Sequence, residues 1–108
     1  MTRKSREQFL EDLVQTGKAD SFARYALALE YKKLGRSEDS IAAFHALRTF
    51  DPRYVPMYLM AAQLLVEVGK RDDATEWLNA GISVAKEQRD AKASSELSNL
   101  LAELESHA

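Results

Sequence analysis

SFARYALALEYKKLGRSEDSIAAFHALRTFDPRY, residues Ser21–Tyr54, is the stretch that decides the fold of this 108-residue chain. Leu27, Ala28, Tyr31 and Leu34 fall at helical spacing up to Gly35, and Ser40, Ile41, Phe44 and Leu47 resume that spacing as far as Asp51-Pro52. Apolar or small residues three and four apart share one face of a helix, so the pattern predicts two amphipathic helices. Gly35 takes the left-handed position that ends the first, and Pro52 closes the second. The stretch is one helical hairpin.

A shift of 34 residues lays Val55–Gln88 over this hairpin. Ala28/Ala62, Gly35/Gly69, Asp39/Asp73 and Ala46/Ala80 are identical. Tyr31/Leu65, Leu34/Val68, Arg36/Lys70, Glu38/Asp72, Ser40/Ala74, Phe44/Leu78 and Phe50/Val84 keep their apolar, basic, acidic or small character. A period of this length, built as helix, glycine turn and helix, marks a helical repeat. On these residues the chain resembles a tetratricopeptide repeat protein. The family's leucine and small residue fall on Leu27 and Ala28, its aromatics on Tyr31 and Phe44, its turn glycine on Gly35, its second small residue on Ser40 and its closing Asp-Pro on Asp51-Pro52. Arg24 stands at the opening tryptophan position, which is Tyr58 in the second unit, and Ala85-Lys86 replace the second Asp-Pro. Without that proline the last helix of the second unit is expected to run longer than its counterpart.

The resemblance implies an all-α fold, a right-handed α-solenoid of antiparallel helix pairs with about six helices. Residues 1–108 are expected to form a single domain, with repeats at 21–54 and 55–88. Two further segments are expected to close the array. Ser5-Arg6-Glu7-Gln8 has the form of a capping box and leads into Phe9, Leu10, Leu13 and Val14, so 5–17 reads as a half repeat ending near Gly17. The tail matches at a shift of 36, with Ala61 over Leu97, Leu65 over Leu101 and Val68 over Leu104; 90–105 reads as a closing helix whose Lys92, Glu96, Glu103 and Glu105 face solvent. Ser106, His107 and Ala108 are expected to fray. Between these ends the helices are expected at about 21–34, 37–50, 56–68 and 71–88.

Composition narrows the function. Fifteen basic against seventeen acidic residues give a formal net charge of −2 with both signs interspersed, which argues against a nucleic-acid footprint. Cysteine is absent, so no thiolate site or disulfide framework exists. The first residues lead into Glu7-Gln8 rather than an apolar run, and no stretch approaches a membrane span, so a cytoplasmic protein without membrane contact is expected. His45 lies mid-helix and His107 in the tail; the sequential pairs Glu11-Asp12, Glu38-Asp39 and Asp72-Asp73 diverge around their helices. Neither phosphate loop nor nucleophile elbow occurs, so no enzyme, cofactor or metal site is expected.

The resemblance further implies that the first helices line a groove that receives a peptide or partner helix, in an adaptor or scaffold role. The family's contact positions fall on Phe22, Tyr25, Leu29, Lys32 and Lys33, then on Leu59, Gln63, Val66 and Glu67, and through the 36-residue shift on Ser95 and Asn99. The residues point the same way: from Tyr54 to Val68 the first helix of the second unit is apolar over more of its circumference than one packed face needs. Tyr25 and Leu29 stand where members that clamp a C-terminal carboxylate carry lysine and asparagine, so a clamp of that kind is not expected. Self-association through apolar surfaces is the alternative, leaving monomer and weak homodimer both open.

Overall fold

The computed structural model describes residues 3–107; Met1, Thr2 and Ala108 lie outside it, and with them the outermost residues of the expected domain and the last residue of the expected frayed tail. Among the described residues all regular structure is helical: α1 Arg6–Gln15, α2 Ser21–Lys33, α3 Ser37–Phe50, α4 Pro56–Glu67, α5 Arg71–Glu87 and α6 Ala91–Ser106. The chain divides after Pro52 into two compact units, α1–α3 and α4–α6.

In the N-terminal unit the capping box forms as the sequence requires. Gln8 N–H donates to Ser5 Oγ at 3.1 Å, and Ser5 N–H donates to Gln8 Oε1 at 3.0 Å. The helix stops at Gln15, two residues earlier than Gly17, which takes a positive φ of 72° beyond it. Leu10 packs with Ala26, Leu27 and Tyr31, and Leu13 and Val14 close the flank, so α1 covers the side of α2 that α3 leaves open. A fully buried leucine contributes about 1.5–3 kcal/mol, so Leu10 offsets part of the cost of ordering this short helix, roughly 1–2 kcal/mol per residue. α2 begins on Asp20, whose Oδ1 accepts from Ala23 N–H at 2.8 Å. It ends beside Gly35 (φ 75°), where Arg36 N–H reaches back to the Tyr31 carbonyl at 2.9 Å. α3 starts without a side-chain cap; Glu38 and Asp39 in its first turn supply favourable charge instead. Buried Ser40 donates its hydroxyl to the Ala28 carbonyl at 2.7 Å and fastens α3 to α2. Arg24, the departure at the opening aromatic position, places its guanidinium 4.1 Å from the centre of the Phe50 ring and donates from Nε to the Ala19 carbonyl.

The C-terminal unit has a heavier core. Pro56 opens α4 in the first turn, where its missing N–H costs no helical bond. Met57, Tyr58, Ala61, Ala62, Leu64 and Leu65 are buried along α4, and Ala74, Trp77, Leu78, Gly81 and Ala85 along α5. Tyr58 and Trp77 meet with ring centroids 5.7 Å apart. Gly81 makes that possible: a methyl group there would lie 2.6 Å from Tyr58 Cβ. α5 runs for 17 residues against 14 in α3, as the missing Asp-Pro implies, and it ends at Glu87, two residues before Arg89, whose φ is 57°. Asp90 caps α6 by accepting from Ala93 N–H at 3.0 Å. Leu97 and Leu104 are buried, while Arg71 Nη2 donates to the Leu104 carbonyl at 2.6 Å. That bond holds the last turn of α6, which extends through Ser106 instead of fraying from it.

Candidate functional site

Phe22, Tyr25, Leu29 and Lys33 follow one another at three- and four-residue steps on α2, so they share a stripe. With Ala26 and Glu30 of the same helix and Arg6 of α1 they line a recess of about 210 Å³ in the N-terminal unit. Its walls are mainly apolar. Phe22 is 67% exposed, and Tyr25 and Leu29 are half-buried. Tyr25 is held from behind by the buried Phe44 ring, 6.5 Å away. Arg6 and Glu30 pair across the α1–α2 seam at 3.4 Å, so the charges at this edge are matched internally.

On the α1–α2 seam a second polar group is fixed. The Tyr31 hydroxyl donates to Glu11 Oε2 at 2.5 Å, and Arg36 lies over the ring with its guanidinium carbon 4.7 Å from the centroid. Burial, then the bond to the Glu11 carboxylate, push the phenol up to about 12. Arg36 also pairs with Asp39 at 2.8 Å and with Glu7, and these bonds, that to Asp39 foremost, raise its already high value.

In the C-terminal unit, Leu59 and Gln63, one turn apart on α4, face Glu96, Asn99, Leu100 and Glu103 of α6 across a recess of about 300 Å³. The α6 residues occupy steps of three and four over two turns, which sets them in one stripe. Leu59, Gln63 and Leu100 are half-buried; Glu96, Asn99 and Glu103 are exposed.

Seven of the residues expected from the sequence therefore line a recess: Phe22, Tyr25, Leu29 and Lys33 in one unit, Leu59, Gln63 and Asn99 in the other. Lys32 and Val66 are half-buried elsewhere on their helices, and Glu67 and Ser95 are exposed outside both recesses. Arg6 of α1, and Glu96, Leu100 and Glu103 beside the expected Asn99 on α6, were missed. Arg6 and Glu30 carry opposite charges, a signal that exists in the sequence but points to no partner until α1 and α2 are packed. Among the described residues no three His, Cys, Asp or Glu side chains gather to hold a metal, and no helix is long and apolar enough to cross a membrane.

Paired helices with glycine turns and apolar stripes on first helices define a helical-repeat protein. A crystal structure of a tetratricopeptide repeat domain protein from Salinibacter ruber is 35% identical over 82% of this chain and 98% of that one, with a TM-score of 0.76. The chain belongs to the tetratricopeptide repeat family. A solution structure of a protein from Bordetella parapertussis matches 97% of this chain and 91% of its own at 21% identity and a TM-score of 0.80. PcrH, solved in complex with the chaperone binding region of PopD, matches 94% of this chain and 77% of its own at 15% identity and a TM-score of 0.84. At those identities the last two share the fold. No family model matches the chain, and no curated protein does.

Proposed function

We propose that this protein is a non-catalytic interaction module whose units each offer the stripe of their first helix, α2 in one and α4 in the other, to a peptide segment or partner helix, in an adaptor or scaffold role. The observation that carries the reading is the stripe Phe22, Tyr25, Leu29: one exposed and two half-buried large side chains lining a recess, on a helix whose opposite face already fills the core. Apolar surface gathered in this way gains by being covered. Half-buried Leu59 offers a corresponding anchor on α4. The complex in which PcrH was solved supports the reading as an example of the same fold holding a segment of another protein. From the family's contact positions, Lys32 is assigned to the contact surface of the first unit, and Val66, Glu67, Ser95 and Asn99 to that of the second.

The test is capture of a partner from lysate of the source organism by the wild-type protein and by Tyr25→Ala with Leu59→Ala. Capture lost in the double variant, with helicity and melting unchanged, supports the reading. Capture that survives both removes these stripes from the account. A second reading, self-association, draws on Phe9 and Phe50, 57% and 52% exposed on α1 and α3. Light scattering decides it, since a monomer at high micromolar concentration defeats it.

A further inference from the structure

The two recesses differ in how their charges are matched. In the N-terminal unit Glu30 meets Arg6, so the chain supplies its own cation. In the C-terminal recess no basic side chain contributes to the wall. Glu96 has only the highly exposed Lys92 one turn away, at 4.0 Å, and the Glu103 carboxylate has no ion-pair partner among the described residues. Between the two carboxylates lie Asn99 and Leu100, and opposite them Leu59 and Gln63.

We infer that the recess between α4 and α6 receives a lysine or arginine side chain, set beside an apolar residue, from the partner peptide; this rests on the interaction reading above. A long cationic side chain suits both halves of the recess. Its alkyl stem lies on Leu59 and Leu100, which lose water, while its head reaches the rim carboxylates and the side-chain carbonyls of Gln63 and Asn99. Glu96 and Glu103 stand seven residues apart, about 10 Å along the helix, so a head placed over Leu100 lies within reach of either. An acidic side chain in the same place meets two like charges over a partly apolar floor, which excludes it. The site therefore selects by sign, the reverse of a carboxylate clamp.

The experiment uses an unbiased random dodecapeptide library displayed on phage, selected in parallel against the whole protein, Glu96→Gln with Glu103→Gln, Glu103→Lys, and Tyr25→Ala with Leu59→Ala. The wild type is expected to enrich peptides with lysine or arginine next to a large apolar residue. Their synthetic versions are expected to bind the Glu96→Gln, Glu103→Gln variant about three- to tenfold more weakly, with a smaller salt dependence. Glu103→Lys is expected to lose the basic preference. Peptides that depend on Tyr25 and Leu59 but show no basic enrichment, or bind the double glutamine variant unchanged, overturn this inference and leave the interaction reading standing. Peptides indifferent to Tyr25→Ala with Leu59→Ala overturn both, as does a selection that enriches nothing. Glu96 and Glu103 are exposed, so unchanged far-UV circular dichroism is expected to accompany their substitution.

Discussion

Gly81→Ala is expected to destabilise the C-terminal unit, although alanine is the better helix former. Replacing glycine inside a helix gains about 1 kcal/mol from propensity alone. The added methyl group would stand 2.6 Å from Tyr58 Cβ, 2.8 Å from Tyr58 Cγ and 3.1 Å from Leu97 Cδ1. Leu97 can turn away. Tyr58 Cβ cannot, because it is bonded to the α4 backbone, so relief requires α4 and α5 to separate by about 1 Å to restore ordinary carbon contact. Tyr58, Trp77 and Leu97 are each at most 2% exposed, and such a separation would loosen all three. Overpacking of this kind costs about 3 kcal/mol, the upper part of its usual range. The net loss is about 2 kcal/mol, or roughly a 10 °C fall in Tm for a chain of this length. Urea unfolding followed by the fluorescence of Trp77, the only tryptophan, reads this unit directly. Asn79→Ala, exposed on the same helix, controls for propensity and is expected to be neutral or slightly stabilising. A Gly81→Ala protein as stable as the wild type would refute the close approach of α4 and α5.

Three further outcomes follow from the N-terminal unit. Tyr31, raised to about 12 from an unfolded value near 10, contributes stability that is whole below about pH 10 and is lost as pH rises from there toward 12. Phenolate absorbance at 295 nm is expected to show a tyrosine ionising late, and Tyr31→Phe to remove it. Ser40→Ala deletes the bond to the Ala28 carbonyl in a site where the other unit carries Ala74; a loss of about 1 kcal/mol by chemical denaturation is expected. Gly35→Ala meets no atom within 4 Å, so its cost is backbone strain at φ 75°, about 1–2 kcal/mol, and Gly35→Asn is expected to cost less.

The repeats were legible because their signals are local. Gly35, Gly69 and the Ser5–Gln8 box each act within a few residues, and the absent proline after Val84 gives the longer α5. Helix ends moved by one or two residues where a last turn tightened, as at Gln15 and Ser106. The stripe on α2 was legible from its spacing. What completes each recess was not, because it depends on which helix packs alongside: Glu96 and Glu103 read as solvated residues and are solvated, yet they also form one wall of the recess against Leu59. Arg24 looked like a lost aromatic. Its position over Phe50 explains how the first unit does without one.

At the place where the first hairpin carries Leu47, the second carries Gly81, and the bulk is returned by Tyr58 and Trp77, where the first has Arg24 and Ala43. The two interiors are thus separate solutions to one volume problem. Placing at position 81 the leucine that the first hairpin carries at 47 would demand smaller groups at 58 and 77 in the same step, so the three sites form a lock that opens only when all are changed together. A protein engineer extending this chain by copying a hairpin must therefore copy it whole, since an averaged sequence of the two would fit neither.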